Sequence, residues 1–204
     1  MDHRMLDPRF VIFGAAIGLI GVGVYAIAVL HGRVKPNRVS WVLWALAPLI
    51  AFVAELASGV GWLSLATLAP GLGPLLVLIA SAFNRRSYWQ VTRFDLTCGG
   101  LSVLALALWV ATGSGNLAIV FSVLADGLAS APTVIKSYRE PATESYWPYL
   151  GTAVNGAIAL LTITTWRFAE YAFPAYLVLM FAAISALIAF PHLRVEKPRR
   201  TKLS

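Results

Sequence analysis

Lys35-Pro36-Asn37-Arg38-Val39-Ser40-Trp41 and Glu140-Pro141-Ala142-Thr143-Glu144-Ser145-Tyr146 stand 105 residues apart. Each lies where one long apolar run ends and another begins. The layout points to an internally duplicated membrane protein. Duplication carries a functional expectation, because transporters are often built from two structural repeats that move around a shared site near the bilayer midplane.

Working outward, 59% of the residues are apolar and only 12% are Asp, Glu, Lys or Arg. The mean hydropathy is +0.76, far from the balance of a soluble domain. A hydrocarbon core of roughly 30 Å needs about 20 apolar helical residues. Seven such segments are predicted, over Phe10–Leu30, Ser40–Gly59, Trp62–Phe83, Phe94–Ala111, Asn116–Ser137, Ser145–Trp166 and Phe168–Phe190. The first is longer than the apolar stretch of a signal peptide, roughly 7 to 15 residues, and reads as a retained helix. The lipid bilayer is thus the first expected partner, and function is expected to lie within the helical bundle.

Lys and Arg orient the bundle, because cytoplasmic loops are enriched in them. With seven spans, thirteen basic residues fall on one side: Arg33, Lys35, Arg38, Arg85, Arg86, Arg93, Lys136, Arg139 and five in the C-terminal tail. Only Arg4, Arg9 and Arg167 fall on the other. Six or eight spans would scramble this split. The expectation is a multi-pass protein of the cytoplasmic membrane with its N-terminus outside and its C-terminus inside. The net charge of +7 has the same origin, so nucleic acid is not an expected partner. Cys98 is the single cysteine, which excludes an intramolecular disulfide.

The offset of 105 also carries the third apolar run onto the seventh, with Ala26/Ala131, Val29/Val134, Pro36/Pro141 and Ser40/Ser145 as matched letters. Residues 1–90 then form a first three-helix repeat, 91–113 a linker with helix four, 114–191 a second repeat and 192–204 a basic cytoplasmic tail. One unpaired helix between them makes the repeats parallel, related by an axis along the membrane normal. The expected fold class is an all-α integral membrane protein with seven helices in a 3+1+3 arrangement. Pro36 and Pro141 punctuate the two hairpins, and Ser40 and Ser145 are read as N-caps of helices two and six. Pro70-Gly71-Leu72-Gly73-Pro74 is expected to bend or break helix three, for substrate contact or for close packing.

This layout, together with Ala125-Asp126-Gly127-Leu128-Ala129-Ser130-Ala131-Pro132-Thr133-Val134-Ile135-Lys136 and the following Glu140–Ser145, resembles the PQ-loop superfamily. That superfamily includes the SWEET sugar transporters, lysosomal amino-acid exporters and bacterial nicotinamide riboside transporters. The resemblance implies transport of a small polar solute, sugar-like or similar, by alternating access between two three-helix bundles. The name-giving Pro-Gln pair is absent: Pro132-Thr133 and Ile27-Ala28 stand in its places. Helix one therefore lacks a proline hinge, and Pro48, Pro132 and Pro148 are the candidate gating prolines. Two repeats in one chain already form the pair that single-repeat relatives make by dimerising, so no oligomeric state follows.

Asp126 falls near the midplane of helix five. A carboxylate there costs at least about 2.5 to 3.5 kcal/mol on insertion scales, so it should face the bundle interior or a wet cavity. It reads as a substrate-binding or proton-accepting group, or as a structural Asp tying helix five to a neighbour. Proton coupling through Asp126 is a secondary expectation, supported by acidic residues of proton-coupled superfamily members. Asn155 lies at a similar depth on helix six, and the resemblance makes it a candidate for binding substrate hydroxyls. An interhelical hydrogen bond is the alternative. Asp126 and Asn155 should approach one another or line one cavity. Trp44 and Tyr149 are equivalent under the offset and should face each other as aromatic walls, or else belong to an interfacial belt. Trp41 and Tyr146, nearer the surface, fit the belt better. Glu55 is either an external-gate residue or an interfacial one.

Absences narrow the classes. All four lysines are placed in loops, helix ends or the tail, which argues against a retinal Schiff base, and His3, His31 and His192 flank the membrane. No HExxH helix and no aspartate pair of a protease is present. No enzymatic activity, metal or cofactor is expected. The rival reading is a non-transporting heptahelical receptor or assembly factor; a transporter should keep a polar midplane cavity, whereas an assembly subunit should fill that space with side chains and offer an exposed interface.

Overall fold

The computed structural model describes residues 6, 7, 9–57, 65–84, 89–112, 115–163 and 166–190, with the side chains of residues 11, 51, 54–57, 65–69, 115 and 118 outside that description. Among the described residues there are seven α-helices and no strand: α1 Phe10–Leu30, α2 Arg38–Ala57, α3 Leu65–Phe83, α4 Arg93–Ala111, α5 Gly115–Arg139, α6 Trp147–Thr162 and α7 Phe168–Ala189. A lipid-embedded backbone must satisfy its own polar groups, and a helix does so within one segment. By length and composition α1, α4, α5 and α7 can cross a membrane, while the apolar stretches found in α2 and α3 are shorter, Arg38–Ile50 and Pro70–Phe83. With 16 residues, α6 is the shortest. At about 1.5 Å per residue it falls short of the hydrocarbon thickness.

Local chemistry sets the helix ends. After α1, Gly32 adopts a φ of 70°, Gly32 N donates to Val29 O and Arg33 N to Ala28 O, both at 2.9 Å. This glycine-terminated C-cap uses the left-handed backbone that a Cβ disfavours. At α2 the cap is Asn37, not Ser40: its Oδ1 accepts from Val39 N at 3.1 Å and Ser40 N at 3.4 Å. Ser145 is not the cap of α6, whose N-cap position is Tyr146. A reciprocal capping box of Thr92 and Asp95 starts α4. The Pro-Gly run of α3 does not break the helix. It packs closely, since a Cβ on Gly71 would meet Pro48 Cβ at 3.2 Å and one on Gly73 would meet Val22 Cγ1 at 3.2 Å, and Pro70, Gly73 and Pro74 also line the space at the centre of the bundle.

In the packing, α3 touches both α1 and α2, and α7 touches both α5 and α6. Across the molecule α1 lies along α6 and α2 meets α5, while α4 leans on α5 and α2. One end of the bundle gathers Asn84 Nδ2 onto Val29 O at 3.2 Å, Arg38 onto Ser81, Asn37 Nδ2 onto Asp95 Oδ1 at 3.1 Å and Thr133 Oγ1 onto Ser40 Oγ at 2.9 Å. It thus joins the C-terminal ends of α1, α3 and α5 to the N-terminal ends of α2 and α4. Arg33, Lys35, Arg38, Arg93, Lys136 and Arg139 all belong to this basic end. Lys136 lies inside the predicted fifth segment, and α5 runs on to take Arg139 into its last turn as well.

The α1–α6 seam is held by missing side chains. A Cβ on Gly21 would stand 2.6 Å from Trp147 O, and one on Gly151 would stand 3.1 Å from Ile17 O. Small residues let backbones approach where lipid gives no hydrophobic drive to associate. Gly21→Ala should therefore destabilise the protein by about 1–3 kcal/mol, the usual cost of overpacking. Gly18→Ala, whose Cβ would meet nothing within 4 Å, should leave the melting temperature in detergent unchanged; equal losses for the two variants would refute the tight seam.

Candidate functional site

All seven helices contribute to one central chamber of about 560 Å³, inside the usual size range for small-molecule sites, roughly 300–1,000 Å³. Its wall includes Asp126, Asn155, Trp44 and Tyr149, and the candidate gating residues Pro48 and Pro148. Most of the remaining wall is apolar, with hydroxyls from Ser102, Ser122 and Thr152. Ser102 Oγ donates to Ala125 O at 2.6 Å, which fastens α4 to α5 beside the aspartate.

Asp126 sits near the middle of α5 and is half-buried. Tyr176 of α7 donates its hydroxyl to Asp126 Oδ2 at 2.7 Å, and Ser130, one turn along α5, donates to the same oxygen at 3.4 Å. Among the described residues nothing donates to Oδ1. The two hydroxyls compensate part of the desolvation that a carboxylate suffers in an apolar chamber. On the α1–α6 seam Asn155 lies against Gly14, where a Cβ would stand 2.5 Å from its Oδ1. That glycine keeps room for the amide.

The aromatic walls meet as the offset implied. Trp44 and Tyr149 approach edge-on with ring centroids 6.2 Å apart, and Phe181 lies 5.6 Å from Trp44. Trp41 is no belt residue: it is buried, lines the chamber and stacks on Tyr25 at 4.9 Å.

Beneath this aromatic floor lies a buried ionic cluster that sequence reasoning missed. Glu144 Oε2 accepts from Tyr25 of α1 at 2.8 Å and from Tyr149 of α6 at 3.1 Å, while Oε1 pairs with Lys136 of α5. The side chains of Lys136 and Glu144 are 1% and 0% exposed, so the charges depend on each other. Lys136 Nζ also donates to Lys35 O and lies 4.9 Å from the Trp89 ring centroid. Lys35 N in turn donates to Thr143 O at 2.9 Å. The segments around Lys35 and Thr143 therefore touch. The available signal was Glu144 itself, an acid eight residues after Lys136 in a connection, residues 140–146, that holds no base of its own.

The prolines separate. Pro148 stands in the first turn of α6, where proline interrupts no intrahelical bond, so it is not a bend. Pro48 and Pro132 are inside α2 and α5. Pro132 lines a different, polar cavity of about 1040 Å³ at the basic end, with Lys35, Trp89, Asp95 and Lys136. The side chain of Glu55 lies outside the described residues. Asp95 is engaged in capping and in its bond to Asn37. Tyr176, Ser130, Trp109, Phe173 and Phe181 also escaped the sequence reading. For Tyr176 the signal was a phenol in the apolar α7, since a buried tyrosine hydroxyl needs a partner.

Comparison of the chain with protein-family models, with curated proteins and with solved structures returned no match.

Two outcomes follow from the clusters. Lys136→Met strands the Glu144 charge and should cost about 3–5 kcal/mol, whereas Lys136→Met with Glu144→Gln should recover much of that loss in thermal melting. Tyr176→Phe, which removes one bond to a charged group, should cost about 1.5–3 kcal/mol by the same measurement; an unchanged melt would refute the Tyr176–Asp126 bond.

Proposed function

We propose that the protein transports a small polar solute across the cytoplasmic membrane by alternating access. The observation that carries this reading is the central chamber, walled by all seven helices, with Asp126 and Asn155 in one lining. An assembly subunit has no need of such a space. The contact order supports the 3+1+3 arrangement: α3 bridges α1 and α2 as α7 bridges α5 and α6, and α1–α6 answers α2–α5 across a pseudo-twofold axis. In this reading all seven helices span the bilayer, α4 is the linker, and the basic end faces the cytoplasm by the positive-inside rule.

Asp126 and Asn155 bind polar groups of the solute, and Trp44 and Tyr149 supply the stacking walls. The Tyr25–Glu144–Lys136 cluster closes the cytoplasmic end, since it ties α1 of the first bundle to α5 and α6 of the second. Inward opening must break or carry that tie. Pro48 and Pro132 are the inner bending points, and Asp126 is the candidate proton acceptor.

Reconstituted vesicles loaded and assayed with labelled sugars, amino acids, nucleosides and small amines test the proposal. Uptake of at least one class should exceed protein-free vesicles and fall at least tenfold in Asn155→Ala. A pH gradient should accelerate that uptake in the wild type and not in Asp126→Asn. No uptake of any class would overturn transport, and an unaltered pH response in Asp126→Asn would remove proton coupling.

A further inference from the structure

The chamber is electrically one-sided. Among the described residues its lining contains a single carboxylate, Asp126, and no Lys, Arg or His. The basic residues of the described chain are gathered at the bundle ends, and Lys136 is already paired with Glu144. Asp126 receives only the neutral hydroxyls of Tyr176 and Ser130, both on Oδ2. An ionised carboxylate in such surroundings lacks a countercharge, so it either takes up a proton or pairs with a cation that enters the chamber.

The rest of the wall suits a cation's other needs. Trp41, Trp44, Trp109, Tyr149, Phe173 and Phe181 all line the space. Trp44, Tyr149 and Phe181 form one continuous ring cluster, with Tyr149 and Phe181 at 6.3 Å. Phe173 stands 5.9 Å from Tyr176, whose hydroxyl holds Asp126. Aromatic faces carry negative potential and attract ammonium groups without binding water as a carboxylate does. A neutral polyol would instead call for many donors and acceptors, and the lining offers few.

Resting on the transport reading of this same chamber, we infer that its ligand is a monovalent organic cation. The ammonium group pairs with Asp126 and replaces the missing countercharge. The apolar body lies against the Trp44 ring, which Tyr149 and Phe181 back, and Asn155 takes a polar substituent.

Equilibrium binding to the full chain in nanodiscs free of choline lipids tests this, using choline, benzyltrimethylammonium, glucose, and 3,3-dimethylbutan-1-ol, the uncharged isostere of choline. At least one of the two cations should bind, with choline or benzyltrimethylammonium at least tenfold tighter than the isostere and glucose. Asp126→Asn should erase that gap, Asp126→Glu should keep most of it, and Trp44→Leu should weaken cation binding severalfold. Size-exclusion profiles and melts establish that each variant is folded. The inference is overturned if the isostere or glucose binds as well as the cations, if Asp126→Asn leaves cation affinity unchanged, or if neither cation binds. Binding and vesicle uptake of a neutral solute alone would overturn the charge assignment while the transport reading stood; absence of uptake of every class would remove the latter.

Discussion

A buried carboxylate that three helices must satisfy governs this bundle. Glu144 takes hydrogen bonds from Tyr25 and Tyr149 and an ion pair from Lys136. Each partner comes from a different helix, so the rotation and depth of α1, α5 and α6 are correlated at the basic end. Charges with almost no exposure lose most of their hydration, and the loss is offset only when geometry is good and the remaining lone pairs are used. Both oxygens of Glu144 are used. Slippage of any one helix by a turn would leave a buried polar group unmatched, which makes the cluster a register lock as well as a contact.

The same lock shapes the space above it. Tyr25 and Tyr149 present their hydroxyls downward to Glu144 and their rings to Trp41 and to each other, at 4.9 and 6.3 Å for the two contacts of Tyr25. The resulting aromatic floor separates the ionic layer from the chamber. Along the α1–α6 seam the glycines remove side-chain bulk, and Gly14 leaves room for Asn155 at the chamber wall. Close packing on this seam and open volume at the centre are therefore complementary. The chamber combines moderate volume, a few polar groups and large apolar rings, features common to small-molecule sites.

Much of the architecture was legible because lipid imposes simple rules. Every predicted span has a helix over it, and Phe10–Leu30 has the bounds foreseen. Hydrocarbon demands long apolar helices, so their positions are written in composition. Asp126 and Asn155 were singled out for a related reason, as polar groups deep in apolar helices, while Trp44 and Tyr149 were paired by the offset of 105. Their convergence on one lining agrees with that reasoning. Ser40, Ser145 and Trp41 were misread because local rules for caps and belts ignore what lies across the interface. Ser40 is engaged by Thr133, from 93 residues away, and Trp41 by Tyr25.

By itself the sequence determined the helical class, the segment positions and the concentration of basic residues at hairpins and tail, since these depend on hydropathy and local spacing. Only the tertiary structure decided that Glu144 pairs with Lys136, that Tyr176 holds Asp126, that Pro148 is not a bend, and that the phrases around Lys35 and Thr143 touch. Such contacts depend on helix rotation and on distances between segments far apart in the chain. A hydropathy pattern carries neither, because all faces of a buried helix can be apolar while only one meets a given neighbour.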